Sequence, residues 1–196
     1  EKLKIKNYEL RIKNRNKIVS IGRISLSKDY ETLINAVEIL SNKGINLETE
    51  IIGGPITVAD NDYFSGLNKL VEAKNLSQAV KFIGPVANKA IGGYLQNAAL
   101  FVNMGQTGSL DKAMVEAMSA ELPVLTCNEA MLEVLGAYQE ILMYPKHDFK
   151  KLAEKIEQII NLPPEKYLEL ERKLRKIVIA EHSLTSFVNK ILKLYG

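Results

Sequence analysis

The sequence is poor in cysteine, histidine and long apolar runs, and each shortage excludes a class of protein. A single cysteine, Cys127, cannot form an intramolecular disulfide, so the chain is no disulfide-stapled domain and fits a reducing compartment. Neither His147 nor His182 has a cysteine or histidine partner at metal-ligand spacing, which favours ordinary surface or core histidines. No apolar run approaches the roughly 18 residues of a membrane span. We therefore expect a cytoplasmic protein without a metal site.

Charge is unevenly distributed along the chain. Residues 1–17 carry seven cations and two glutamates, which gives this segment a net charge of +5, and the remainder therefore carries −2. Such an arm could contact nucleic acid or anionic lipid. The cations are not interleaved with aromatic residues as base stacking requires, which favours a solvated linker and no nucleic-acid partner. We predict a basic linker over residues 1–16 and a globular domain over residues 17–196.

Short apolar runs alternate five times with amphipathic segments. The runs lack the period-two alternation of half-exposed strands, which indicates a parallel sheet covered by helices on both faces. The fold class predicted is therefore α/β, a Rossmann-like doubly wound parallel sheet with C-terminal helices. Predicted strands are residues 17–22, 48–53, 80–83, 99–104 and 123–126, with a weaker one at 140–143; predicted helices are 29–43, 62–74, 89–97, 110–120 and most of 149–194.

The loops at the carboxyl ends of these strands are the predicted ligand site. In a doubly wound sheet the ligand lies beyond the carboxyl ends, where the strand order reverses. Several of the predicted strands end in or near glycine, which lets a ligand approach the backbone closely. The loops concerned are residues 22–28, 53–60, 84–89 and 105–111.

The first of these loops carries two cations five residues apart. Arg23 offers a bidentate fork and Lys28 a compact charge, and both follow Gly22 just before a predicted helix. Cations so placed can converge on a diphosphate. The alternative is a pair of solvated surface cations; the position at the sheet edge favours the diphosphate.

The loop after the fourth predicted strand opens another helix. Its glycines and the free N–H groups of a helix start can bind an anion. The alternative is an ordinary helix cap, with Ser109 or Asp111 accepting backbone N–H bonds. Asp111 opposes phosphate binding because a carboxylate in the first turn competes for the same helix dipole. This loop alone leaves both interpretations open.

Glu116 lies about two turns into that predicted helix, between alanine, methionine and valine residues. A carboxylate there faces either solvent or a polar ligand. One carboxylate can accept two O–H bonds, so a ribose or sugar diol is a suitable partner. Taken alone, the residue is more typical of a solvated glutamate.

Four motifs occur in order along residues 17–196. An arginine follows glycine with a lysine five residues later; a Phe-x-Gly turn follows the third predicted strand; a glutamate opens Ala-Met-x-Ala-x-x-Pro-Val; and Glu-His-Ser-Leu precedes the last predicted helix. Together they resemble the C-terminal, donor-binding domain of the retaining family 4 glycosyltransferases, one half of a two-domain GT-B fold. The segments are Gly22–Lys28, Phe82–Val86, Glu116–Val124 and Glu181–Leu184.

The resemblance implies a nucleotide-sugar site. Arg23 and Lys28 would hold the donor diphosphate, Glu116 the ribose hydroxyls, and residues 83–86 would border the base through their backbone. It also implies transfer of a hexose from a UDP- or GDP-type donor with retention, no metal and no cofactor. The implied catalytic residues are Arg23, Lys28 and Glu116. The implied donor-binding residues are Gly22, Arg23, Lys28, Ile83, Gly84, Val86, Gly108, Ser109, Leu110, Asp111, Lys112 and Glu116.

Two departures from the family pattern keep an alternative open. Gly108 stands where family members usually have a sugar-contacting glutamate, although a Gly-Ser-Leu-Asp-Lys loop resembles that of a family subset, in which Asp111 or Lys112 could serve the sugar. The family's N-terminal acceptor-binding domain is also missing. We therefore expect the isolated domain to be inactive. As a separate expectation, the full-length protein contacts the inner membrane face peripherally. The alternative is a non-catalytic nucleotide-binding module; the fold alone would also permit an unrelated small-molecule binder.

Overall fold

Five parallel strands, with the helices that connect and follow them, form the part of the chain that the structure describes. The computed structural model describes residues 15–106, 108–182 and 192, with only the backbone described at 181 and 182. The strands are β1 Lys17–Ile21, β2 Glu48–Ile52, β3 Val80–Gly84, β4 Leu100–Asn103 and β5 Val124–Thr126. The helices are α1 Tyr30–Asn42, α2 Val58–Ala73, α3 Asn88–Asn97, α4 Lys112–Ser119, α5 Leu132–Leu135, α6 Gln139–Leu142, α7 Phe149–Ile160 and α8 Pro164–His182, with 3-10 turns at Leu26–Lys28, Glu129–Met131 and Gly136–Tyr138.

The sheet order confirms the predicted doubly wound class. The strands lie in the order β3-β2-β1-β4-β5 and every neighbouring pair is parallel. All side chains of β4 and β5 are buried, as expected of strands covered on both faces. The order reverses at β1, which pairs with β2 on one side and with β4 on the other. The loops after β1 and β4 therefore flank the switch point at which such sheets bind ligands.

Amphipathic helices close both faces of the sheet. Helix α1 contacts α7, and α4 contacts α8. On α1 the buried residues recur at helical spacing, and this apolar stripe belongs to the hydrophobic core. The hydroxyl of Tyr167, on α8, donates to the carbonyl of Ala99 at 2.5 Å and ties this helix to the start of β4.

Two sequence predictions differ from the structure, and two concern segments that lie outside the described residues. The predicted weak strand at residues 140–143 is wrong: α6 occupies most of it, and only Met143 forms a single bridge with Thr126. Helix α2 begins at Val58, four residues before the predicted start, because Thr57 and Asp60 form a capping box. The basic segment over residues 1–14 lies outside the described residues, as does the last predicted helix over residues 183–191 and beyond 192.

Among the helices that the structure describes, none combines the length and the apolar content that crossing a membrane requires.

Candidate functional site

The candidate site lies between the loops that follow β1 and β4. The backbone N–H of Gln106 donates to the carbonyl of Ser27 at 3.4 Å, which holds the two loops side by side. Both loops carry residues that the sequence singled out. This is the edge at which the strand order reverses, so the predicted position of the site is consistent with the sheet order.

The side chain of Lys28 is largely buried within this site. Lys28 ends the 3-10 turn before α1, and its side chain is only 20% exposed. A Cβ atom added at Gly22 would lie 3.1 Å from the Lys28 Cε, and one added at Gly105 would lie 3.3 Å from its Nζ. The two glycines thus form a slot for the lysine chain, because any larger residue would crowd it. The ammonium group ends between the carboxyl ends of β1 and β4.

The carboxylate of Asp111 faces Lys28. Its Oδ2 accepts from the Lys28 Nζ and from the Asn103 Nδ2, each at 2.8 Å. Its Oδ1 accepts from the backbone N–H of Ala113 at 3.0 Å, which makes Asp111 the N-cap of α4. Of the two interpretations of this loop, helix capping by Asp111 is therefore what the structure contains.

Arg23 pairs with a different carboxylate. Its side chain is 48% exposed and its Nε lies 3.9 Å from the Asp60 Oδ2, in the first turn of α2. Backbone N–H groups of Thr57 and Ile56 hold the pKa of Asp60 below its usual value, and Arg23 contributes less. The two predicted clamp cations thus extend toward different helices.

The other predicted donor-binding residues of this edge are solvent-accessible. Glu116 is exposed on α4, as are Lys112 and Leu110 near its start. Gly108 is exposed at φ 65°, a left-handed conformation that disfavours a side chain. The carbonyl of Ser109 accepts from the Asn128 Nδ2 at 2.8 Å, which fixes the loop ahead of α4.

The turn after β3 borders the same edge through the backbone. The carbonyl of Gly84 accepts from the N–H of Gly53 at 3.0 Å, and Gly53 itself packs against Gly22. Ile83 and Val86 are half-buried against the core. Residues 22, 53 and 84 thus link the carboxyl ends of β1, β2 and β3 through direct backbone contact.

A polar cluster beside Lys28 was not predicted from the sequence. The buried carboxylate of Asp29 accepts from the Thr32 hydroxyl at 2.7 Å and lies 3.0 Å from the His147 Nδ1. The amide nitrogen of Gln106 lies 3.5 Å from the same oxygen of Asp29. Asp29 is the N-cap residue of α1 at φ 48°, but its side chain accepts no backbone N–H there. His147 is largely exposed, and His182 lies outside the residues whose side chains are described.

Asn103 is a further residue of the site that the sequence pattern could have indicated. Asn103 is a buried amide that ends the otherwise apolar strand β4. A buried polar residue at the carboxyl end of a parallel strand indicates a structural or ligand-binding role. Within residues 15–106 and 108–180, no group of three or more His, Cys, Asp or Glu side chains is arranged to hold a metal.

Comparison with known proteins identifies relatives over most of the chain. The family model for glycosyl transferases group 1 matches residues 1–180. The capsular polysaccharide biosynthesis glycosyltransferase CapM of Staphylococcus aureus is 29% identical over 178 residues, covering 82% of this chain and 42% of that protein. An uncharacterized glycosyltransferase of Haemophilus influenzae is 22% identical, covering 87% and 46%. This chain thus spans less than half the length of these curated relatives.

Solved structures share the fold. HepE of Anabaena, crystallised in complex with UDP, superposes with a TM-score of 0.81 at 17% identity, over 98% of this chain and 52% of that one. Sucrose-phosphate synthase of Thermosynechococcus elongatus gives a TM-score of 0.79 at 22% identity, over 92% and 45%. Because the family model covers nearly the whole sequence, the chain belongs to the glycosyl transferases group 1, with the Rossmann-like fold of one half of a GT-B enzyme.

Proposed function

We propose that this chain is the donor-binding half of a retaining glycosyltransferase that transfers a hexose from a UDP- or GDP-type nucleotide sugar to an acceptor. The observation that carries the proposal is the Lys28 ammonium, which lies in a slot between Gly22 and Gly105 beside the start of α4. A cation at the switch point of a doubly wound sheet is suited to a diphosphate. Family membership and the UDP complex of HepE support the same ligand class.

Each predicted residue has a role that its position permits. Lys28 binds the diphosphate as a compact charge from within the slot. Arg23 joins it after leaving Asp60, since a half-exposed ion pair at 3.9 Å stabilises by no more than about 1 kcal/mol. Glu116, exposed on α4, accepts hydrogen bonds from the ribose hydroxyls. The backbone around Gly84 borders the base.

Catalysis by these residues is electrostatic. When the bond from the sugar to the diphosphate breaks, negative charge develops on the leaving oxygen. Positive groups already held at that position stabilise the transition state more than the ground state. Arg23 and Lys28 would provide this charge without a metal. The acceptor would bind to an upstream domain, so we expect the isolated chain to transfer nothing. A cytoplasmic enzyme with peripheral membrane contact would fit this scheme.

Nucleotide titration tests the site. Calorimetric titration of the chain with UDP and with GDP should show saturable binding to one of them. We expect Lys28→Ala to weaken that binding at least tenfold, because it removes a charge-assisted contact worth roughly 1.5–3 kcal/mol. Arg23→Ala should weaken it less. Lys43→Ala, which removes an exposed cation paired with Glu157, is the matched control and should leave the affinity unchanged. Unchanged affinity in both site variants would contradict the assignment.

A second candidate function follows from Gly108. The family's usual sugar-contacting glutamate is absent there, and φ 65° suits glycine better than a replacement. The chain would then be a non-catalytic nucleotide-binding module. Joining it to its native upstream sequence and assaying donor hydrolysis and sugar transfer separates the two functions. Binding without turnover for any UDP- or GDP-sugar favours the module.

A further inference from the structure

We propose that Asp111 is an internal anion that competes with the donor diphosphate for Lys28 and that it weakens binding of the nucleoside diphosphate product more than binding of the sugar-bearing donor. This inference rests on the proposed function, because it concerns the same diphosphate site. It assigns Asp111 to affinity and to discrimination between donor and product.

The carboxylate of Asp111 contacts both features of the site that attract an anion, the Lys28 ammonium and the start of α4. Oδ2 of Asp111 lies 2.8 Å from the Lys28 Nζ, and Oδ1 accepts from the Ala113 N–H at the start of α4. A diphosphate bound by Lys28 and by this helix start must therefore displace the carboxylate or lie beside it. In both cases the negative charge of Asp111 opposes that of the ligand.

Solvent screens this opposition only weakly. The side chains of Asp111 and Lys28 are 12% and 20% exposed, respectively. The Asn103 Nδ2 also donates to Asp111, so the carboxylate is held in place by three donors, Lys28, Asn103 and Ala113. A fixed charge at low exposure interacts with a neighbouring charge more strongly than a mobile surface group does.

The donor and the product differ in the charge of the second phosphate. In a nucleotide sugar the second phosphate is joined to the first by an anhydride bond and to the sugar by an ester bond, and it carries one negative charge. After transfer it is a terminal phosphate, whose second pKa near 6 gives it about −1.5 to −2 at neutral pH. A fixed carboxylate repels the more highly charged form more strongly. Asp111 would therefore promote release of the product, while it weakens binding of the donor less.

Asp111→Asn tests the inference because it removes the charge and retains the shape. Asparagine is as good an N-cap as aspartate and can still accept from the Ala113 N–H. Asp148→Asn is the matched control: Asp148 caps α7 by accepting from the Lys151 N–H at 2.8 Å, and it makes the same chemical change at a different helix. Urea denaturation of both variants checks that they remain folded.

Calorimetry at pH 7.5 and low salt uses two ligand pairs, UDP with UDP-glucose and GDP with GDP-mannose. For the pair that binds, we expect Asp111→Asn to bind the diphosphate about tenfold more tightly and its sugar conjugate about threefold more tightly, from the Coulomb energy of one removed charge at partial screening. Asp148→Asn should change neither affinity. Raising the salt concentration should shrink the gain.

Several results would overturn the inference. Equal or weaker diphosphate binding by Asp111→Asn shows that the carboxylate does not compete. An equal gain for both ligands of a pair removes the discrimination between donor and product. Loss of affinity for the sugar conjugate alone shows that Asp111 contacts the sugar. These three results leave the proposed function intact, whereas folded wild-type protein that binds neither pair overturns both.

Discussion

Replacement of Gly53 by alanine is the sharpest test of how the carboxyl ends of β1, β2 and β3 pack together. Gly53 follows β2 at φ 137°, a conformation that residues with a side chain rarely adopt. A Cβ atom there would lie 2.0 Å from the carbonyl oxygen of Gly22 and 2.8 Å from its carbonyl carbon. These are backbone atoms, so no side-chain rotation can relieve the overlap. The backbone at the end of β1 or of β2 has to move.

The expected cost follows from the contacts that the movement breaks. The Gly22 carbonyl accepts from the Tyr30 hydroxyl at 3.2 Å, and the Gly53 N–H donates to the Gly84 carbonyl at 3.0 Å. Each hydrogen bond contributes about 1 kcal/mol, and a strained φ adds about 1–3 kcal/mol. Gly53→Ala should therefore lower the free energy of unfolding by about 3–5 kcal/mol, a large part of the roughly 5–15 kcal/mol of a typical domain.

Urea denaturation followed by circular dichroism measures the effect. Two control substitutions separate its components. Gly44→Ala has a positive φ of 80° and no atom within 4 Å of the added Cβ, so it should cost only about 1 kcal/mol. Gly66→Ala, inside α2 with nothing within 4 Å, should stabilise by about 0.5–1 kcal/mol. A Gly53→Ala variant no less stable than Gly44→Ala would refute the reasoning.

Three further predictions concern stability and reactivity. Burial raises the pKa of the Tyr30 phenol above 10.0. Its contribution to the free energy of unfolding is therefore complete below pH 10, and above pH 10 it falls by up to about 1.4 kcal/mol per pH unit. Tyr30→Phe should flatten this decline in urea titrations at pH 9 and 11. Burial also raises the pKa of Cys127, so an aromatic disulfide reagent at pH 8 should modify it only after unfolding, and rapid modification of the native chain would contradict its burial. Thr57→Ala should cost about 1 kcal/mol by removing the α2 cap, whereas Thr57→Ser should retain most of it, as urea midpoints would show.

Local patterns were sufficient for the fold but less so for element boundaries. Alternation of apolar runs with amphipathic segments predicted the parallel sheet, because strands that are buried on both faces consist almost entirely of apolar residues. Residues 140–143 failed because a run of this length is too short to separate a strand from a helical turn. The start of α2 was misplaced because the capping-box pair of Thr57 and Asp60 was overlooked.

The sequence named candidate residues for the site but not the contacts between them. Lys28 and Asp111 were both singled out, yet they lie 83 positions apart and their contact depends on the sheet order. The neighbouring pair of Asp29 and His147 spans 118 positions. No local sequence pattern predicts a contact between residues so far apart in the chain. The capping role of Asp111 was one of two open alternatives because its neighbours, Asn103 and Lys28, are set by tertiary structure.

The sheet order gives the chain a natural point of division. Strands β1, β2 and β3 are consecutive in both sequence and space, and β4 and β5 add to the other side of β1. Lys28 belongs to the first group and Asp111 to the second. If the chain were cut in the turn between β3 and α3, neither fragment would hold both Lys28 and Asp111. Under the proposed function, nucleotide binding would then report reassembly of the two fragments, so the domain could be used as a split-protein sensor.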